Sequence, residues 1–401
     1  MTETRKALLT NDIAMLLYGV SAVLIGPTLP GIVAQFNLSL GAAGLIGTLQ
    51  NTGGFLGAVV ALIIADRFPR PAMILGSFAL LAAALFAVGA AGRYVTLAAA
   101  FAASGVFIRI LDVMLNAHTG DLASADSGRA LSALHMFYSI GAFAGPLVTR
   151  ALMRSGVSWA GVYLAVGFGY LVVLFGTAGF FRAYLASGSR RPVREQPPVV
   201  KGRSGRRSAR LLVGMLGVLL FFYAIHQIGI VTWLPYYLEA ERGAGSDLAG
   251  FSLSVYWVGI MGGRFASSRV VVRIDARRIL CAGGLLAAAA TAGGVLVPLP
   301  GAAVTLFGVA GLMSGATIPL AYSVGYTLLP ERTGSVTAWM SMIMLSGRLL
   351  GPWFVGAAAD RATLVAGMMI PALALLGSGA LGAAILVALR RPHAEQAPAA
   401  R

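Results

Sequence analysis

Cysteine, histidine and negative charge are all scarce in this sequence. One Cys and four His in 401 residues leave no disulfide framework and no ligand spacing for a metal site. Fourteen Asp and Glu stand against 30 Lys and Arg, and all charged residues together are 11% of the chain. A soluble domain is about 25% charged, so an ordinary soluble enzyme is excluded, and so is a charged disordered chain. A GxxxxGK[ST] phosphate loop is also missing, so nothing requires ATP. Between the apolar runs there are no clustered carboxylates, His pairs or Ser/Lys dyads, and the loops are too short to hold an active site. The chain is therefore expected not to be an enzyme and to need no cofactor.

What is present is apolar. Hydrophobic residues make up 58% of the chain and 52 residues are Gly. A bilayer span needs about 20 apolar residues. Runs bounded by charge, Pro and Gly predict twelve spans, at 8–30, 41–65, 72–91, 96–116, 130–151, 160–181, 211–234, 248–271, 280–297, 302–328, 335–358 and 364–389. The fold class read from this pattern is all-α and membrane-embedded. Glycine is tolerated because bilayer helices satisfy their own backbone and small residues let neighbours approach. The first run is too long for a signal peptide and no cleavage site follows it.

The formal charge of +16 is spread over loops, which argues against nucleic acid as a partner. With the N-terminus placed in the cytoplasm, 22 of the 30 cationic residues fall on the cytoplasmic side and 5 outside. The remaining three, Arg109, Arg264 and Arg348, lie inside spans. Cationic loops stay inside, so both termini are expected to be cytoplasmic. The segment 182–210 is rich in Arg, Pro, Ser and Gly and reads as a solvated linker beside anionic headgroups. It divides the chain into bundles at 1–181 and 211–389, followed by a cytoplasmic tail at 390–401.

The halves repeat. Gly141-Ala-Phe-Ala-Gly145-Pro146 in the fifth span matches Gly347-Arg-Leu-Leu-Gly351-Pro352 in the eleventh, 206 positions on. Leu29-Pro30 matches Leu234-Pro235, and Gly53-Gly54 with Asp66 matches Gly262-Gly263 with Asp275. Two parallel six-span repeats place a site at their interface and alternate its access by rocking.

Over essentially its whole length the chain resembles the major facilitator superfamily. Ala65-Asp66-Arg67-Phe68-Pro69-Arg70 resembles the family signature between the second and third spans, with Leu62 and Pro69 standing where Gly is usual. The resemblance implies a gating role for Asp66, Arg67 and Arg70, with Arg264, Asp275 and Arg278 as the second-half counterpart. Three short strings resemble the fucose/glucose–proton symporter branch: Leu111–Leu122, the stretch from Leu131 to Tyr138, and Tyr223–Gln227 running on to Tyr237. That branch usually has an acidic residue near His226, and this chain has none. The Gly-x-x-x-Gly-Pro string also resembles a drug–proton antiporter signature. Its physical content is close packing and a proline kink.

Asp112 is the carboxylate deepest inside a span. Gly105, Arg109, Asp112 and Asn116 share one helical face, and Arg109 and Asp112 can pair at i, i+3. A membrane carboxylate held between burial and an arginine can take up and release a proton. Proton coupling is therefore expected at Asp112 and Arg109, with His135 as a relay. A permanently ionised, purely structural pair is the alternative. Amides bind hydroxyls and indoles cover ring faces, so Gln50, Asn51, Asn116, Tyr138, His226, Gln227, Tyr256, Trp257, Tyr322 and Trp339 are the expected substrate contacts. Arg348 joins them as a possible anion ligand.

The expected function is secondary transport of a small polar solute, sugar-like by preference, by proton-coupled alternating access. Efflux of amphipathic drugs or metabolites, and carriage of an organic anion by Arg109 and Arg348, are the alternatives. The expected setting is a monomer in the cytoplasmic (inner) membrane, with protons, a small-molecule substrate and bilayer lipid as partners and no nucleic acid or metal.

Overall fold

The computed structural model describes residues 3–64, 68–122, 127–186, 206–271, 273–329 and 333–389. Among them the regular structure is entirely helical. The helices are α1 (Glu3–Ala22), α2 (Ile25–Phe36), α3 (Leu40–Ile64), α4 (Arg70–Gly89), α5 (Tyr94–Leu122), α6 (Ser127–Arg154) and α7 (Trp159–Ala186). They continue as α8 (Arg206–Ala240), α9 (Ser246–Val270), α10 (Ala276–Leu296), α11 (Pro300–Ser314), α12 (Thr317–Leu328), α13 (Thr333–Arg361) and α14 (Leu364–Ala388).

Local chemistry accounts for the helix ends. Asn37 ends α2 in the left-handed region at φ 48°, a conformation Asn tolerates better than most residues. The Asp275 carboxylate accepts the Arg277 N–H and caps α10. Proline opens α11, where no backbone donor is needed. One predicted span proves to be broken, and another carries a short turn without breaking. The first bends by 41° between α1 and α2, and the tenth turns at Gly315 and Ala316 between α11 and α12. Among the described residues, eight helical stretches are long and apolar enough to cross a membrane, or nine when the bent α1–α2 pair is taken as one span.

The chain forms two compact units. The first comprises Met1–Pro197, Gly229–Trp257 and Leu349–Met368; the second comprises Pro198–Ile228, Val258–Arg348 and Met369–Arg401. In the first, α3 packs on α5, α1 on α6 and α4 on α7, around buried Phe78, Leu81, Phe101, Tyr163 and Tyr170. In the second, α10 packs on α11, and Leu216, Leu219, Leu220, Ala321 and Met340 are buried together.

Glycine sets the helix spacing, and its pattern corrects the register of the repeat. A Cβ on Gly53 or Gly57 would collide with the Ala102 or Val106 carbonyl oxygen of α5. On Gly259 or Gly263 it would collide with the Gly308 or Leu312 carbonyl oxygen of α11. Each glycine and each carbonyl recurs after 206 positions. Gly141 and Gly347 likewise abut the Leu16 and Phe221 carbonyls. The equivalents of Gly53 and Gly57 are thus Gly259 and Gly263. An alignment on the Gly-Gly dipeptides misplaces this stretch by three residues, because the first glycine of one pair and the second of the other face the neighbouring helix.

Candidate functional site

The expected stripe on α5 is formed. Arg109 Nη1 donates to Asp112 Oδ2 at 2.8 Å. Asn116 Nδ2 donates to Asp112 Oδ1 at 3.0 Å and to the Asp112 carbonyl oxygen at 2.8 Å. Both carboxylate oxygens are therefore engaged from within one helix, as i, i+3 and i, i+4 spacing permits. The pair is not sealed: the side chains retain 25% and 16% of their exposure.

Around this triad stand aromatic groups from three other helices. The hydroxyl-bearing rings of Tyr18 (α1) and Tyr138 (α6) lie within electrostatic reach of the Arg109 guanidinium, with centroids 5.1 Å apart. Tyr138 meets Trp257 (α9) edge-on at 6.1 Å, and Tyr256 flanks Trp257 at 6.3 Å. Trp257 is 4% exposed, and its indole N–H has no acceptor among the described residues. A buried unmatched donor is costly. A bound solute with an acceptor oxygen would remove that cost. Six residues from α1, α5, α6 and α9 thus present a carboxylate, a guanidinium, an amide, two phenols and an indole within one compact unit.

The other expected contacts lie in separate polar groups. Gln50 Nε2 donates to Ser104 Oγ at 3.4 Å, and Asn51 Nδ2 donates to the Gly47 carbonyl of its own helix at 2.7 Å. In the second unit, buried Gln227 donates to Tyr223 Oη at 3.0 Å beside buried His226. Tyr322 Oη lies 2.6 Å from Ser341 Oγ and stacks on Tyr326. Trp339 is 69% exposed, and His135 is exposed on α6. Arg264 and Arg348 each keep a buried Nε with no hydrogen-bond partner among the described residues.

Of the expected gating residues, Asp66 and Arg67 lie outside the described residues. Arg70 pairs with Asp121 and donates to the Ala117 carbonyl, which ties the start of α4 to the end of α5. Asp275 pairs with Arg277 rather than with Arg278, whose side chain is exposed. Arg277 gives Asp275 both its backbone N–H and its Nε–H, so one residue supplies the capping bond and the ion pair. Hydrogen bonds from Arg277, aided by the nearby Arg278 charge, hold Asp275 down at about 2. No group of three or more potential metal ligands occurs among the described residues.

Sequence reasoning missed Tyr18, which looks like one more apolar-helix aromatic. It also missed Arg150, Asp247 and Asp360, whose partners are distant in the chain. Arg150 Nε donates to Asp247 Oδ1 at 2.7 Å, and Asp360 accepts the Leu40 and Gly41 backbone N–H groups at 2.8 and 2.7 Å.

Comparison with known proteins gives this arrangement a lineage. The family model of the Major Facilitator Superfamily matches residues 12–352; the chain belongs to that family. A TsgA homologue of Citrobacter koseri is 25% identical over 300 residues, 70% of each chain. TsgA of Salmonella heidelberg is 26% identical over the same share. A bacterial homologue of the human lysosomal transporter Spinster, in an inward-facing and occupied conformation, superposes with a TM-score of 0.76 at 16% identity, covering 97% of this chain and 98% of that one. The E. coli fucose:proton symporter FucP aligns at 0.62 with 17% identity over 96% and 99% of the two chains. The chain is a multi-pass membrane transporter, not an enzyme, and it carries a small-molecule substrate.

Proposed function

We propose that the chain is a proton-coupled secondary transporter of a small, hydroxyl-rich polar solute of sugar-like character. Twelve spans are counted by reading α1–α2 as one bent span and α11–α12 as one span with a turn, and adding α3, α6 and α9 to the apolar set. The cationic loops then place both termini in the cytoplasm of a cell whose inner membrane holds the protein. The starts of α3 and α9 and the ends of α6 and α13 lie at the outer face. The bundles 1–181 and 211–389, joined by the linker 182–210, move against each other as a monomer.

The observation that carries this reading is the Arg109–Asp112–Asn116 triad, with Tyr18 and Tyr138 near Arg109 and Trp257 edge-on to Tyr138. Ionised Asp112 holds Arg109 and Asn116. A proton on Asp112 removes the charge that holds Arg109, and the freed guanidinium and amide can then bind solute hydroxyls. Solute and proton thereby depend on one another. The unmatched Trp257 N–H and the adjoining ring faces suit a hydroxylated ring. FucP is by name a fucose:proton symporter, which supports the same reading.

Asp112→Asn tests it in proteoliposomes loaded with a sugar panel. The variant keeps the shape of the site but cannot ionise. Uptake driven by a pH gradient is expected to vanish while solute counterflow persists. Gradient-driven uptake at the native rate refutes the coupling role.

A second reading, an organic-anion carrier, is favoured by one observation. The Nε atoms of Arg264 and Arg348 are buried without a partner among the described residues, and a carboxylate would match their donor geometry.

A further inference from the structure

The register of 206 positions fixed by the glycines also relates the starts of α4 and α10. Arg70 opens α4 and Ala276 opens α10, so the two are equivalent. Arg70 crosses to the end of α5, where it pairs with Asp121 and donates to the Ala117 carbonyl. The equivalents of Ala117 and Asp121 are Ser323 and Thr327, near the end of α12. The second repeat therefore keeps both helix ends but lacks the cation and the acid that join them in the first. A cavity of about 290 Å³ opens between those ends. Its walls include Asp275, Ala276 and Arg277 at the start of α10, Ser323 and Thr327 on α12, and Leu389 just past α14. All of them lie within the second compact unit. Since Ala276, Ser323 and Thr327 are the equivalents of Arg70, Ala117 and Asp121, the cavity marks the place that the Arg70 side chain fills in the first repeat.

The cavity suits a cation. Arg277 is turned back onto Asp275, with Nε 2.8 and 2.9 Å from the two carboxylate oxygens, so these charges offset each other. What remains is the end of α12, where last-turn carbonyls carry partial negative charge and favour a basic group, together with the Ser323 and Thr327 hydroxyls. Thr327 Oγ1 donates to the Val324 carbonyl at 2.8 Å, which leaves its lone pairs to accept a hydrogen bond. The volume is at the lower limit of ligand pockets, about 300 Å³, and so fits one long side chain better than a drug-sized molecule. The chain delivers such a side chain to the rim. Leu389 lines the cavity, and Arg390 and Arg391, which lie outside the described residues, follow it directly.

We propose that the cavity is a seat for the tail 390–401, in which a guanidinium of the Arg390–Arg391 pair joins α10 to α12 as Arg70 joins α4 to α5. Arg70 is built into one of the helices it ties. The tail cation is not, so the second repeat holds a detachable form of the same tie. The seat touches no substrate, and the inference is independent of the solute, the proton and the sidedness assigned above.

The test is thiol accessibility in lipid nanodiscs, which leave both faces open to a maleimide. In a Cys281→Ala background, Ser323→Cys puts one thiol on the cavity wall. Its equivalent, Ala117, contributes only a carbonyl, so the exchange spares the seat. Arg390→Gln with Arg391→Gln is expected to raise the labelling rate about 2- to 5-fold, as suits a partly exposed charged contact. Arg390→Lys with Arg391→Lys, which keeps the cations, stays near the parent rate. A second thiol reads the tail itself. In Cys281→Ala with His393→Cys, the pair Ala276→Arg and Thr327→Asp rebuilds the first repeat's own tie, fills the seat and speeds tail labelling by a similar factor. Each rate is read on protein that elutes as the parent does, and complete labelling after denaturation checks that the thiol is present. Parent-like rates in the double Gln variant, or a tail thiol indifferent to the rebuilt pair, overturn the seat. A cavity thiol shielded only in nanodiscs that contain phosphatidylethanolamine, whatever the tail, assigns the cavity to a lipid amine and overturns the tail as its occupant.

Discussion

Gly53 and Gly54 are neighbours in α3, and alanine is expected to act on them in opposite directions. A Cβ on Gly53 would fall well inside contact with the Ala102 carbonyl oxygen, whereas on Gly54 its nearest atom is the Gly105 oxygen at 3.7 Å. The obstacle at Gly53 is backbone, which cannot swing aside as a side chain does. Restoring ordinary contact requires α3 and α5 to part by about 1.5 Å, and overpacking of this kind costs roughly 1–3 kcal/mol. Alanine in place of glycine in a helix returns about 1 kcal/mol. Gly53→Ala therefore loses up to about 2 kcal/mol, and Gly54→Ala ranges from neutral to a gain of about 1 kcal/mol. The assay is the apparent melting temperature of each variant in one detergent, read by size exclusion after heating. Gly259→Ala is expected to follow Gly53→Ala because the Gly308 carbonyl stands in the same place, and Gly76→Ala, with no atom within 4 Å, is the control. If Gly53→Ala melts with or above Gly54→Ala, the close-packing argument is wrong.

Two further outcomes follow from the charged groups. If the solute is an anion, Arg348→Gln removes a charge-assisted contact and raises its KM roughly 10- to 100-fold; an unchanged KM in an anion uptake assay excludes that reading. At Asp275 the folded carboxylate is held at about 2, below its ordinary value of 3.8. A depressed carboxylate stabilises fully above the unfolded value and loses that contribution as pH falls toward the folded one. Asp275→Asn keeps the helix cap and removes the charge. Its melting deficit should therefore be constant from about pH 5 to 8 and should narrow as pH falls from about 4 to about 2. The deficit is small, since both partners are about one-third exposed. A deficit that varies between pH 5 and 8 contradicts the assignment.

Much of the architecture was legible in the residues because bilayer helices are local objects. Each backbone group must find its partner within its own segment, so apolar run length marked the eight spans that are long and apolar enough to cross a membrane among the described residues. The 3.6-residue period is equally local, and it alone puts Arg109, Asp112 and Asn116 on one face. The bend in the first span and the turn in the tenth were not legible, since hydropathy runs straight through them. The glycine register was lost for a related reason: both members of a Gly-Gly pair are chemically identical, and only the helix packed opposite chooses between them.

Contacts between segments far apart in the chain were decided by the tertiary structure alone. The residues Asp360, Leu40 and Gly41 are separated by some 320 positions, and nothing in a Leu-Gly helix start announces an acid partner. Arg150 and Asp247 read as ordinary loop charges until α6 and α9 are placed end to end. Tyr18 joins the candidate site only because α1 packs on α6. The sequence by itself determined that the chain spans a membrane, that it repeats, and that one span carries a coupled pair of charges. Which groups surround that pair, and which ends of the repeat meet, depended on backbone separations set by glycine. Packing of that kind is a property of pairs of helices and is written in neither sequence alone.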